Sequence, residues 1–491
     1  GRCVADQQRR RQHPEKMVLS GPKRIVARHI RPKLLPVVSI VASKGEAGQS
    51  YSTRSGKSML TKIRAGLYAA VSATTLAVAL SAPSGALPYR DDVGDEGAQE
   101  FAAPWDGVIQ IYMWNRNTGG INFNCTGSLI NPRTVLSAAH CFNSLPNEFY
   151  GFSGAPLTPI IAYGPDTFDA LFNWIGTGQQ FIDDRNGLTF ALNVMTPPEG
   201  SFFGEPFPAA DVALLSLLDP LYTLPTYGML FSPIPADVLN EGVHVNMIGY
   251  GTFNPGSSTA GATINGRRRA GENMLGFLGN FNQFFSALGQ DVNEFPGGNN
   301  NQMMYWIDFD QPDRTGECER GNAFGFSNSI ICSDWNGSSG GVIDSDTLIL
   351  PGPSLDLFPG DALPNEVGTA GGDSGGPLMA MNIFDNPLIL GVLSGGFIEG
   401  FLHQAGQSYG KLSYYAALFA YSQFVPENNP YKYVTNTGSG DWFDASIWVQ
   451  TMDPNYFIYQ DGEIVNGLPG DPQLGTSPGD PWGVVFDTDV A

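Results

Sequence analysis

The chain has 491 residues with a formal net charge of −21, and its 42% apolar content excludes a disordered polymer and supplies ample material for a buried core. Its 61 glycines and 36 prolines favour many short strands over long helices. The charge is unevenly placed: residues 1–58 hold 13 Lys/Arg against 3 Asp/Glu, whereas residues 87–491 hold 11 against 44, which excludes the body of the chain as a binder of nucleic acid or of an anionic membrane surface.

In chain order, residues 1–58 read as a basic leader or extension without a folded pattern. Met59-Leu60-Thr61-Lys62-Ile63-Arg64 is a short basic start, followed by an Ala/Val/Leu run through Leu80 and by the small residues Ser84 and Ala86. Residues 59–86 therefore read as a secretory signal peptide, since the run is too short and too diluted by Ser and Thr for a membrane anchor. Residues 87–103 would be a linker opening the mature chain. Val108–Trp114 and Thr126–Ile130 read as strands, the second ending at Asn131-Pro132.

Three segments carry chemistry. His140 lies in Leu136-Ser137-Ala138-Ala139-His140-Cys141, Asp211 in Ala210-Asp211-Val212-Ala213-Leu214-Leu215, and Ser374 in Gly371-Gly372-Asp373-Ser374-Gly375-Gly376-Pro377-Leu378. A serine hydroxyl is a weak nucleophile near neutral pH and needs a base in hydrogen-bond reach, with a carboxylate to orient that base. The order His, Asp, Ser is the one used on chymotrypsin-like double barrels. At these segments the chain resembles the trypsin/chymotrypsin family of serine proteases. The resemblance implies an all-β fold, a chymotrypsin-like double antiparallel β-barrel with a C-terminal helix. It also implies His140 as general base and acid, Asp211 as orienting carboxylate, Ser374 as nucleophile, and the amides of Gly372 and Ser374 as oxyanion hole.

The five cysteines taken alone leave reduced, buried thiols open. The resemblance implies two bridges, Cys125–Cys141 and Cys318–Cys332, with Cys3 left over in the leader; two bridges would require an oxidising compartment. It also places Gly368 at the base of the primary specificity pocket and Ser394, Gly395 and Gly396 along the substrate-binding strand. With no carboxylate at Gly368, selection for Lys or Arg is not expected. Family members commonly pair a freed N-terminus with the aspartate preceding the nucleophile, here Asp373. Asp92 would oppose that pairing with its own carboxylate, so Asp373 is expected to be held by another group.

Between Asp211 and Ser374 the chain is longer than a minimal domain of this kind, and residues 252–330 and 334–366 read as long surface loops. Arg267-Arg268-Arg269 would be a solvated loop tip. Val243–Gly251 and Leu388–Ser394 read as strands, and apolar spacing over Leu412–Phe424 predicts a helix, so the protease domain is expected to span residues 104–426. In 427–491, Thr437-Gly438-Ser439-Gly440-Asp441-Trp442 resembles the motifs that open passenger repeats of bacterial autotransporters, which implies a short β-solenoid-like or irregular segment. An outer-membrane translocator would then be a partner if the chain is a fragment.

Together these readings predict a secreted or surface-displayed serine endopeptidase acting on proteins or peptides. They call for no cofactor, no metal, no nucleic-acid partner and no membrane contact by the protease domain; His244 and His403 lack a catalytic context. The alternative is a non-enzymatic autotransporter passenger or adhesin on a protease-like scaffold.

Overall fold

The computed structural model describes residues 87–179, 187–197, 210–235, 238–239, 243–258, 263–275, 277–281, 302–310, 312, 342–343, 348–349, 362–381, 386–397, 408–409, 411–436, 438–441 and 447–470. The leader, the signal peptide, Cys318, Cys332 and His403 lie outside the described residues.

A first antiparallel barrel is made of β1 (Val108–Asn115), β2 (Ile121–Asn131), β3 (Thr134–Ser137), β4 (Leu157–Ala162), β5 (Leu188–Met195) and β6 (Ala213–Leu217), closed in the order β1-β2-β3-β6-β5-β4. The two-residue period of a strand explains how β1 is buried on both faces. Ile109, Ile111 and Met113 enter the main core, while Tyr112 and Trp114 pack with Leu171, Trp174 and Phe190. Leu171 and Trp174 come from the helix Phe168–Gly176, and Trp114 meets Trp174 edge to face at 5.0 Å.

The second set of strands is β7 (Val243–Gly249), β8 (Arg269–Leu275), β9 (Phe277–Gly279), β10 (Met304–Ile307), β11 (Pro377–Ala380), β12 (Leu388–Phe397) and β13 (Leu412–Ala417). They are hydrogen-bonded in the order β8-β7-β11-β12-β13-β10-β9. Because β8 and β9 are one residue apart in sequence, the row of strands returns to its own beginning as a second barrel. One apolar cluster, including Ile109, Leu129 and Leu214 from the first barrel and Val245, Met247 and Leu393 from the second, joins the two.

Four expectations change. Leu412–Ala417 is a strand; a 3-10 turn at Leu418–Tyr421 and a short helix, Phe424–Asn428, follow it. All six strand residues are buried between β12 and β10, and a run buried on both faces carries no periodicity that separates strand from helix. Residues 252–330, expected as loops, contribute β8, β9 and β10. Arg268 and Arg269 are 2% and 1% exposed rather than solvated, and only Arg267 is half exposed.

Residues 87–103 are no plain linker. Leu87–Tyr89 pairs in parallel with Phe253–Pro255, and the helix α1 (Gly94–Phe101) packs on β8. At the other end, Tyr456–Gln460 pairs in parallel with Gly228–Leu230, which pairs with β12, so residues beyond 426 extend the second sheet rather than starting a separate solenoid. Asn429 fixes this arrangement from a fully buried position: its Oδ1 accepts from Asn131 and Thr134, and its amide donates to Tyr456.

Candidate active site

His140 sits in a 3-10 turn, Ala139–Cys141, directly after β3. The Cys125–Cys141 disulfide ties that turn to β2. Asp211 is 2% exposed and lies just before β6. Its Oδ1 accepts from the His140 backbone N–H at 2.8 Å, and its Oδ2 lies 2.7 Å from His140 Nδ1. Ser394 on β12 donates its hydroxyl to the same Oδ2 at 2.5 Å, so the second barrel helps fix a first-barrel carboxylate. Burial pulls the His140 pKa down, but the Asp211 charge and hydrogen bond outweigh it and leave the imidazole above its ordinary value. Immediately before Asp211, Ala210 adopts φ +51°, a strained conformation for a residue with a side chain.

Ser374 occupies a turn ahead of β11. Gly372 and Gly375 take φ +98° and +84°, which glycine adopts without penalty. The turn is pressed onto β2: Thr126 N–H donates to the Ser374 carbonyl at 2.9 Å, and Thr126 Oγ1 donates to the Gly372 carbonyl at 2.9 Å. A Cβ on Gly375 would collide with Ser137 Oγ, Thr126 O and Ala138 N. The Ser374 carbonyl is also 3.9 Å from Cys141 Sγ, next in sequence to His140. Among the described residues, the N–H groups of Gly372 and Ser374 donate to no protein acceptor. The fold thus brings His140, Asp211, Ser374 and Ser394 to the junction of the barrels.

Asp373 points the other way, into the second barrel, and is 2% exposed. Its Oδ1 accepts from Gly251 N–H at 2.7 Å and its Oδ2 from Ala370 N–H at 2.9 Å. Burial pushes its carboxyl up to about 7, against the pull of those two amides and of Arg269. Asp92 is bound instead to Arg90 and is 62% exposed.

The expected specificity residues separate into different roles. Gly368 is buried; its N–H donates to the Pro88 carbonyl at 2.9 Å, and a Cβ there would meet Pro88 at 2.7 Å and Phe309 at 3.2 Å. Ser394 spends its hydroxyl on Asp211. Gly395 and Gly396 are partly exposed, and a Cβ on Gly395 would meet the Tyr414 hydroxyl at 2.5 Å. Sequence reasoning missed Tyr414, whose hydroxyl burial and the Asp211 charge both push well above its ordinary pKa. It also missed Phe123, whose ring lies where a Gly372 side chain would be. His244 is hydrogen-bonded to Glu272 at 2.9 Å across β7 and β8. Asp308, Asp310 and Glu366 gather carboxylate oxygens within 4.8 Å of one another, but Glu366 accepts from the amides of Asp310 and Leu363.

Comparison with known families adds one match. It is to the Trypsin family model, over residues 92–157. That stretch contains β1, β2, β3, both bridged cysteines and His140, and it supports a trypsin-like serine protease reading of the site. A solved structure described as an HL collagenase is similar at 15% identity, covering 72% of this chain and all of that one, with a TM-score of 0.35.

Proposed function

We propose that the chain is a serine endopeptidase that hydrolyses peptide bonds through an acyl-enzyme. The observation that carries this reading is Asp211, which holds both the backbone and the ring of His140 while the Ser374 turn docks on the strand bridged to the same loop. With Nδ1 committed to Asp211, Nε2 is the nitrogen that takes the Ser374 proton as Oγ attacks the carbonyl carbon, and later returns it to the leaving amine. The amides of Gly372 and Ser374 receive the oxyanion, an effect of about 3 kcal/mol per donor at comparable sites. Gly368 brings no charge to the expected pocket base, which favours apolar side chains over Lys or Arg at the scissile position.

Export belongs to the same proposal: the signal-like segment 59–86 and the Cys125–Cys141 bridge both suit an oxidising compartment. A fluorophosphonate probe tests the core claim. Ser374 Oγ bonds to phosphorus, fluoride leaves, and the proton passes to His140. Labelling is expected in the wild type and absent in Ser374→Ala. Equal labelling of both, or none in folded wild-type protein, overturns the enzyme reading and leaves the non-enzymatic scaffold.

A further inference from the structure

The residue preceding the nucleophile is a buried carboxylate, and a buried carboxylate needs hydrogen bonds and a counter-charge to stay ionised. Two amides supply the hydrogen bonds. The counter-charge comes from an unexpected place. Arg269 on β8 lies directly opposite Gly249 on β7. Directly opposed residues of an antiparallel pair project to the same face, with Cβ positions about 5 Å apart. Gly249 has no side chain, and the Asp373 carboxylate fills that space: a Cβ there would lie 2.7 Å from Asp373 Cγ. A Cβ on Gly251 would meet the same carboxylate at 2.6–2.8 Å. Arg269 and Asp373 are therefore neighbours on one face of the β7–β8 ladder.

Arg269 is itself clamped. Its Nε donates to Asp95 of α1 at 2.5 Å, its Nη1 to Asn265 and to the Arg267 carbonyl, and its guanidinium lies 3.5 Å from the centre of the Phe253 ring. Its Nη2 is buried with no hydrogen-bond partner among the described residues. The N-terminal strand and helix thus fix a cation beside the nucleophile's turn.

We propose that Arg269, oriented by Asp95, is a positioning residue for the Ser374 turn, supplying the internal counter-charge that holds Asp373 in place. The inference rests on the serine-protease reading. Arg269 acts through Asp373 and touches no reacting atom. The other titratable groups facing this pair are Tyr415 on β13, beside Asp373, and Tyr89, beside the guanidinium. Arg269 lowers the Asp373 pKa, so its removal makes protonation of Asp373 easier and raises the pH at which the turn loses its hold.

The test measures the maximal rate of Ser374 phosphonylation and the half-saturating probe concentration from roughly pH 5 to 9, across the range where histidine and a raised carboxyl titrate. Full-length wild type, Arg269→Met, Arg269→Lys and Asp95→Asn are compared. Arg269→Met is expected to lose about tenfold in maximal rate with half-saturation changed less, and to move the acidic limb up by about one pH unit. Arg269→Lys restores most of the rate, and Asp95→Asn shows a smaller loss in the same direction. A folded Arg269→Met protein with wild-type rate and an unmoved acidic limb overturns the proposal. If that variant does not fold, an unchanged profile in Asp95→Asn overturns it instead. Failure of the wild type to label at Ser374 is a separate outcome, which removes the enzyme reading and this inference together.

Discussion

The two barrels reach closure by different routes. The first closes within 108–217 on six strands of its own and contributes His140 and Asp211. The second needs both ends of the described chain. Leu87–Tyr89 and α1 brace its β8 side, and Tyr456–Gln460 extends its β12 side through Gly228–Leu230. Its buried arginines receive their partners from 162 and 174 residues away. A barrel closed by local pairing presents catalytic side chains on a frame that its own hydrophobic pattern specifies. A barrel closed by remote segments lets those segments act on the site, as Asp95 and Arg269 do on the Ser374 turn.

The largest expected effect that sharpens this comparison comes from the first barrel. Asp211→Asn should lower the turnover rate by about 10⁴-fold, because the amide no longer holds the required imidazole tautomer. The same substitution removes the charge that raises the His140 pKa. In the wild type, activity requires neutral His140, so the acidic limb should lie above the ordinary histidine value; in Asp211→Asn the residual activity should titrate lower. A pH profile of residual labelling measures both. The stability sign is the same: a raised folded-state pKa stabilises the fold at low pH, and that contribution is lost as pH rises through the folded value.

A smaller effect probes the second barrel. Arg268 donates to the Ala102 carbonyl at 3.1 Å and to Asp106 at 2.6 Å from a buried position. Arg268→Met should cost about 2 kcal/mol in unfolding free energy through the lost charged hydrogen bonds, read by denaturant titration. Hydrogen exchange should show the loss in β7 and β8 while β1–β3 stay protected. Smallest of all, Asp106→Asn should cost under about 1 kcal/mol, because Asp106 is half exposed and its charge is screened. If Asp106→Asn costs as much as Arg268→Met, the ion pair rather than the burial of Arg268 holds the N-terminal segment.

Legibility in the sequence follows the same division. Val108–Trp114 and Thr126–Ile130 are found within β1 and β2, since their apolar runs are bounded by polar turns and pair with near neighbours. β8, with the sequence RAGENML, hides two charged side chains in a strand and shows no alternating pattern. Arg269 on that strand is tolerated only because Asp95 and Phe253 arrive from elsewhere. β13 misleads for the opposite reason: every residue is buried, so its apolar spacing carries no directional information. Gly249 and Gly251 look like turn glycines in the sequence, whereas the structure shows that they vacate the space Asp373 fills.

By itself the sequence determined which residue types stand in order as nucleophile, base and carboxylate, and it identified Cys125 and Cys141 as a pair that the structure joins. Such features are legible because each rests on a few consecutive residues whose chemistry travels with them. Only the tertiary structure decided that Ser394 completes the hold on Asp211, that Arg268 and Arg269 are buried, and that Asp373 has an internal cation beside it. Those are facts of burial and counter-charge, set by segments far apart in the chain, and no local pattern encodes which remote carboxylate a buried arginine will meet.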